Sequence, residues 1–452
     1  MNPLTNIKHI YFVGIGGIGM SALARYFNTQ GVKVSGYDKT PTALTDDLVK
    51  EGILIHFEDD INQIDKEATV VVYTPAIPLE HKELNYLRDN GYNVVKRSDV
   101  LQWVTENAFT IGIAGTHGKT TTTSMTAHIL RHTGYGCNAF LGGIASNYGT
   151  NFWSDEKNVV VVEADEYDRS FLKLSPNIAV VTAVDPDHLD IYGTAEEVLK
   201  AFGQYTDKIK PGGNLIQKYG TVFPSNATQK TILTYAYNEP KADYHTVNLK
   251  VVDGSYHFDL VYPGGVVKDV ILNMGGLHNV ENATAAIAIA ITLGIDAEKI
   301  KAAVASFMGV KRRFEYKVKT ANKVLIDDYA HHPEELNALI SGVRSLYPND
   351  KMVLVFQPHL YSRTQDQAIG FVETLDKADE VILLPIYPAR ELPIPGVTSD
   401  MLLDKMKLKE KSVMSKEELM NWAATTTNKL IVMAGAGDID VCITKIKDIL
   451  TK

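Results

Sequence analysis

The segment from Phe109 to His132 leaves this chain few folds to choose from. An apolar run, Phe109 to Ala114, leads into Gly115-Thr116-His117-Gly118-Lys119-Thr120-Thr121-Thr122, and a helical pattern follows from Ser124 to His132. Strand, Gly-rich loop, Gly-Lys-Thr and helix is the layout of a phosphate-binding loop, in which backbone N–H groups at a helix N-terminus hold phosphate oxygens. The lysine adds a point charge, and the hydroxyl of Thr120 can hold Mg2+. The pattern departs from G-x-x-x-x-G-K-[ST] in one respect: Ile113 stands where the first glycine belongs, with Gly112 and Gly115 on either side. Gly115, Thr116, His117, Gly118, Lys119, Thr120 and Thr121 are the candidate triphosphate-binding residues.

The rest of the chain arranges itself around this loop as three α/β blocks, 1–107, 108–309 and 310–452, a division that suits 452 residues. In the first, the apolar run His9 to Val13 is followed by Gly14-Ile15-Gly16-Gly17-Ile18-Gly19, a helix with Met20, Leu23, Ala24 and Phe27 on one face, and a second strand from Val32 to Tyr37 that ends at Asp38. This is the dinucleotide fingerprint. What it specifies physically is a pyrophosphate on a helix N-terminus, which a UDP-sugar carries as well as NAD does. In the second block, the strands Asn158 to Val162 and Ile178 to Val184 end in Glu163-Ala164-Asp165-Glu166 and Asp185-Pro186-Asp187-His188. Acids at two strand ends beside a phosphate loop suggest a Mg2+ site, since hard cations take carboxylate oxygens. Asp165 and Glu166 read equally well as a solvated strand end. Tyr235 to Val270 has the pattern of an antiparallel meander, and Gly276-Leu277-His278-Asn279-Val280-Glu281-Asn282 opens an alanine-rich helix. The third block alternates helices with strands at Lys323 to Ile326, Met352 to Phe356, Glu380 to Leu384 and Leu430 to Ala434. The predicted class is α/β: a Rossmann-like N-terminal domain, a P-loop central ATPase domain and a Rossmann-like C-terminal domain.

Composition narrows the function classes. A net charge of −9 gives no basic footprint for nucleic acid. Two cysteines, Cys137 and Cys442, lack metal-like spacing, so neither zinc nor a disulfide framework is expected. The N-terminal apolar stretch is broken by glycines and has no basic leader, and no run reaches membrane-spanning length. A cytoplasmic protein with small-molecule partners, monomeric or homodimeric, is the expectation.

The N-terminal Gly-rich loop, Gly115 to Thr122, the Glu163 and His188 segments, His278 to Asn282, Lys311-Arg312-Arg313-Phe314-Glu315 and Asp327 to Pro333 occur in the order seen in Mur ligases. These are ATP-dependent amide-forming enzymes of peptidoglycan synthesis, and the chain resembles them over essentially its whole length. Gly-Ile-Gly-Gly-Ile-Gly-Met-Ser near the N-terminus, Gln357-Pro358-His359, and Tyr387-Pro388-Ala389-Arg390-Glu391 resemble the members that join L-alanine to UDP-N-acetylmuramate. The resemblance implies ATP and Mg2+ as cofactors. It implies that Lys119 contacts the β- and γ-phosphates, that Thr120 and Glu163 hold one Mg2+, and that His188 holds a second beside the substrate carboxylate. Asn279 and Asn282 would read adenine, Arg313 would reach the γ-phosphate, and Asp328 would meet the ATP ribose. Gly16, Gly17, Ile18 and Gly19 would hold the UDP pyrophosphate with Asp38 nearby, and His359 and Arg363 would meet the amino acid. Leu360 departs from the arginine of several relatives.

The implied chemistry turns a carboxylate into an acyl phosphate, which an amine then attacks. Lys119, Glu163, His188, Arg313 and His332 are the candidate catalytic residues. Either His332 or His331 is placed to take a proton, since histidine titrates near neutral pH. Arg312, by contrast, reads as part of a solvated basic run. A ligase adding a whole peptide to the same sugar nucleotide, an NAD-dependent oxidoreductase and a non-catalytic nucleotide switch are the other readings.

Overall fold

The computed structural model describes residues 4, 7–167, 169–186, 188–226, 230–389 and 391–451, and of Asp190 the backbone. Asp187 and Arg390, named above within their motifs, lie outside the described residues.

The first sheet is five-stranded and parallel, in the order Leu54–His56, Lys33–Tyr37, His9–Val13, Val70–Tyr73, Val94–Lys96. Its central strand His9–Val13 is buried at every position, which is why it reads as a continuous apolar run. The central sheet has ten strands. Its parallel core places Phe109–Ala114 between Val159–Glu163 and Ile178–Val181, and Asn214–Lys218 and Thr231–Ala236 follow. The C-terminal sheet has six strands, with Leu430–Ala434 between Val324–Asp328 and Met352–Phe356, and only the edge pair with Glu315–Lys319 antiparallel.

Two predicted β segments of the central sheet shift. The strand expected to run to Val184 stops at Val181, where its neighbour Phe109–Ala114 also ends; the Thr182 N–H makes the last ladder bond, to the Ala114 carbonyl at 3.0 Å. The meander expected from Tyr235 begins later, since Tyr235 and Ala236 close the parallel strand Thr231–Ala236 and pair in parallel with Tyr244 and His245. The hairpin proper joins Tyr244–Val252 to Ser255–Tyr262 through Asp253 and Gly254, both at positive φ (48° and 67°), as a two-residue type I′ turn demands.

Close contacts group the chain into two compact units. One comprises residues 1–247, 259–269 and 281–305; the other comprises 248–258, 270–280 and 306–452. The first unit holds both the N-terminal sheet and the phosphate loop, joined by a shared apolar core that includes Phe12, Leu23, Phe27, Phe140 and Phe152. A buried polar knot crosses the same junction. Asn151 donates to the Ile18 carbonyl (2.6 Å) and the Ser21 hydroxyl (3.0 Å) and accepts from the Arg25 guanidinium, which also pairs with Glu51 at 2.8 Å. Asn151→Ala removes three buried hydrogen bonds, although Arg25 keeps Glu51 and the Ser21 hydroxyl keeps the Ile18 carbonyl. It is expected to lower the unfolding free energy by about 1–3 kcal/mol, read as a fall in urea midpoint at constant slope.

A second buried network lies within the N-terminal sheet. Fully buried Glu83 accepts from the Tyr11 hydroxyl (2.6 Å) and the Asp60 backbone N–H (3.0 Å), with His56 Nε2 at 3.6 Å. Burial pushes its carboxyl up to about 7 against the pull of those two donors. A carboxyl raised on folding stabilises fully below its unfolded value of 4.5 and loses that contribution as pH rises through about 7. Between those limits, stability should shift in favour of Glu83→Gln by about 3 kcal/mol relative to the unchanged protein. Urea midpoints measured across pH read this directly, and a gap that stays constant with pH refutes it.

Candidate active site

The strand Phe109–Ala114 delivers the chain to the phosphate loop, and Gly115 and Gly118 bend it. Both take positive φ, 139° and 82°. A Cβ on Gly118 would fall on the Asn282 carboxamide, and one on Gly115 would fall on the Thr182 hydroxyl. Thr116 N–H donates to the Ala183 carbonyl (3.0 Å), Asp185 N–H donates to the Thr116 hydroxyl (3.2 Å), and the Thr182 hydroxyl donates to the His117 carbonyl. The loop is thus lashed to the exit of the neighbouring strand. The helix begins at Lys119, earlier than the apolar pattern suggested, with Thr122 N–H donating to Gly118 O at 2.9 Å. Its first turn has no side-chain cap and no acidic residue among the described residues. The N–H groups of Lys119, Thr120 and Thr121 therefore face the loop as donors for an anion.

Two acids from one strand end meet this loop. The Thr120 hydroxyl donates to Glu163 Oε1 at 3.0 Å, and Glu163 Oε2 accepts from Gly142 N–H at 3.1 Å. A hydroxyl and a carboxylate brought together at a phosphate loop form a hard-oxygen donor set, so these residues fit Mg2+. Lys119 Nζ donates to both Gly115 O and Glu166 Oε1 at 2.7 Å. Glu166 is 1% exposed, which overturns its reading as a solvated strand end. His188 sits at positive φ (53°) with its ring edge-on to Tyr167, centroids 5.0 Å apart. Among the described residues, no three His, Cys, Asp or Glu side chains cluster closely enough to hold a metal. His188 is therefore not brought into such a group with Glu163.

The N-terminal Gly-rich loop lies in the same unit. Gly14 and Ile15 N–H both donate to Tyr37 O (2.8 and 3.0 Å), and the helix Ile18–Thr29 follows at once. Asp38 turns its carboxylate onto the loop itself, accepting from Gly16 N–H at 2.7 Å and from Thr40 N–H at 3.2 Å. In a dinucleotide-binding domain that acid serves ribose hydroxyls; here it braces the glycine turn. Arg97, which no local pattern marked, starts the helix Arg97–Glu106, and its guanidinium lies where a Cβ on Gly19 would be. A cavity of about 170 Å3 is lined by Gly19 and Arg97 from the N-terminal domain together with Gly142, Glu163 and Phe171 from the central one.

In the second unit, Asp328 closes the strand Val324–Asp328 and accepts from Phe314 N–H (2.7 Å) and Ala330 N–H (2.8 Å). Burial pushes its carboxyl up to about 6, and the two N–H donors and Arg313 oppose this. Arg313 is exposed. Its neighbour Arg312 is not the solvated residue expected: it donates to Gly435 O, lies 3.6 Å from the buried Asp327 carboxylate and stacks over Tyr329 at 5.0 Å. The two candidate histidines separate. His332 caps the helix Pro333–Leu346, its Nδ1 accepting from Glu334 N–H at 3.5 Å. His331 instead lies edge-on to His359, centroids 6.0 Å apart, and His359 stacks on Tyr387 at 5.7 Å. Burial pushes His359 down, and Arg363 and His331 add to this. Arg363 Nη1 is buried and makes no hydrogen bond among the described residues, which suits an anionic ligand. Between them Leu360 is held at φ 67°, strained for leucine, and starts the helix Tyr361–Asp366. Asn279, also in this unit, donates to Gly275 O at 2.7 Å; Asn282 belongs to the first unit, where it accepts from the Thr122 hydroxyl at 3.2 Å.

Three family models match the chain in succession. The "Mur ligase family, catalytic domain" covers residues 9–108, the "Mur ligase middle domain" 113–290, and the "Mur ligase, glutamate ligase domain" 312–439. UDP-N-acetylmuramate–L-alanine ligase of Porphyromonas gingivalis is 48% identical over 452 residues, covering 98% of this chain and 99% of that protein. The ligase of the same name from Flavobacterium johnsoniae is 47% identical over 453 residues, covering 99% of each. The crystal structure of UDP-N-acetylmuramate-alanine ligase from Thermotoga maritima superposes with a TM-score of 0.80 at 29% identity, covering 97% of this chain and 98% of that one. A murein peptide ligase from Psychrobacter arcticus shares the fold, with a TM-score of 0.66 at 22% identity and 98% coverage of both chains.

Proposed function

The chain belongs to the Mur ligase family, and on that premise we propose that it joins L-alanine to the carboxylate of UDP-N-acetylmuramate, driven by ATP. The observation that carries the reading is the cavity that runs from Gly19 and Arg97 to Glu163, the same acid that receives the Thr120 hydroxyl. A pyrophosphate held at the first end leaves an attached sugar directed at the second, where phosphoryl transfer to its carboxylate would take place. The 48% relative carries the alanine-ligase name, while the peptide ligase shares only the fold.

A carboxylate is a poor acyl electrophile, and both it and the triphosphate are anionic, so their repulsion dominates the approach. Lys119 and the N–H groups of the first helical turn offset that repulsion around the phosphates, and Arg313 is assigned to the γ-phosphate. Mg2+, held by Thr120 and Glu163, supplies further charge neutralisation and orientation when bound. His188 is carried as the ligand of a second ion. Once the acyl phosphate forms, the amine must reach it unprotonated. His331, grouped with His359, is better situated to accept a proton than His332, which is engaged as a helix cap. Arg363 and His359 are assigned to the carboxylate of the amino acid, and Asn279, Asn282 and Asp328 to ATP. The domain bounds 1–107, 108–309 and 310–452, the cytoplasmic location and a monomer or homodimer belong to the same proposal. No helix among the described residues is long and apolar enough to cross a membrane.

Phosphate release from ATP and Mg2+ with UDP-N-acetylmuramate tests the proposal. Release that requires L-alanine, with a product heavier by one alanyl residue, supports it. Release with the L-Ala-γ-D-Glu-diaminopimelate tripeptide alone moves the protein to peptide ligation. Release indifferent to any acceptor leaves only the phosphate loop standing.

A further inference from the structure

Glu166 has no part in the reaction as described, yet it is the most completely buried acid near the phosphates. It lies three residues beyond Glu163, its side chain is 2% exposed, and its Oε1 receives the Lys119 ammonium at 2.7 Å. Its other oxygen, Oε2, is buried with no hydrogen-bond partner among the described residues. The segment carrying it is fixed: the Tyr192 hydroxyl (2.6 Å) and Arg169 N–H (3.0 Å) both donate to the Glu166 carbonyl, and the Arg169 guanidinium lies over the Tyr192 ring at 4.7 Å. Burial pushes the Glu166 carboxyl up, and the Lys119 ammonium pulls it back.

A lysine has three N–H donors. Two are committed here, to Gly115 O and to Glu166, so the Lys119 ammonium comes to the phosphates with one free donor and with part of its charge already answered. It cannot leave Glu166 without stranding a buried carboxylate that has neither counter-charge nor hydrogen bond, an arrangement far costlier than the intact pair. ATP must therefore share the lysine.

We propose that Glu166 is a positioning residue that clamps Lys119 against the phosphate loop, so that ATP shares the ammonium with an ion pair that stays intact. The glutamate fixes where the ammonium stands and lowers the affinity that ammonium would otherwise give. This rests on the reading that Lys119 meets the ATP phosphates.

The test is the dissociation constant of a non-hydrolysable ATP analogue with Mg2+, by titration calorimetry, together with the KM for ATP. Glu166→Gln keeps the size of the side chain and an acceptor for Lys119 but removes the opposing charge. It should tighten the analogue and lower the KM for ATP by roughly three- to tenfold, while the KM values for the UDP-sugar and L-alanine stay put. A purely structural role would not tighten one ligand alone. Glu166→Asp keeps the charge but withdraws it by one methylene, and its affinity should fall between the two; it carries the test if Glu166→Gln melts below the unchanged protein. An unchanged or weakened affinity for the analogue in the variant that folds overturns the inference. Lys119→Ala separates the two levels. If it weakens the analogue and Glu166→Gln does not tighten it, the ion-pair inference alone fails; if Lys119→Ala has no effect on analogue binding, the ATP reading fails with it.

Discussion

Lys119→Ala is expected to reduce ATP-dependent turnover by at least about a thousandfold while UDP-sugar binding stays within about twofold. The asymmetry follows from where the residue sits. Lys119 opens the helix Lys119–His132, and its ammonium is held over the loop by Gly115 O and Glu166. It is absent from the cavity between Arg97 and Glu163. Removing the ammonium takes away a positive charge fixed at the loop, and phosphoryl transfer depends mainly on such charge in place before reaction. It also leaves Glu166 buried without its partner, so the variant should melt earlier as well. Matched circular dichroism at the assay temperature separates lost chemistry from lost structure. Loss of both activities in a folded variant would mark the loop as a structural turn.

Glu163→Ala should raise the Mg2+ concentration needed for half-maximal activity by about tenfold or more and lower kcat by about a hundredfold. Glu163 is the last residue of the strand Val159–Glu163. It faces the Thr120 hydroxyl with one oxygen and Gly142 N–H with the other, and it lines the cavity as well. One side chain thus meets the phosphate loop and lines the neighbouring cavity at once. Glu163→Gln, whose amide oxygen can take the Gly142 N–H while its NH2 donates to a reversed Thr120 hydroxyl, should restore stability but not the Mg2+ response. A Mg2+ titration identical to that of the unchanged protein would remove Glu163 from the metal site.

Both glycine loops were legible in the amino-acid sequence, because each is a contiguous run whose backbone geometry is set by its own residues. Only glycine readily takes the φ of Gly118 beside a packed carboxamide, and only an unbroken apolar run such as His9–Val13 fills a strand buried on both faces. The order of those runs was enough to bring the Mur ligase family into view, and three successive family models cover the same ground.

What depended on partners far along the chain was not legible. Nothing local distinguishes Glu166 from a solvated acid; its burial is decided by Lys119, forty-seven residues away. Arg97 lies in an unremarkable helix start until the fold sets its guanidinium over Gly19. Arg312 and Arg313 are adjacent and chemically identical, yet one is stacked on Tyr329 and paired with Asp327 while the other is exposed. His331 and His332 divide in the same way, one grouped with His359 and the other capping a helix. Short-range backbone preferences and hydrophobic periodicity act within a dozen residues, so they suffice for strands, loops and helix starts. Charge pairing and burial depend on three-dimensional neighbours, so only tertiary structure decided which of two like side chains is buried and paired and which is left exposed.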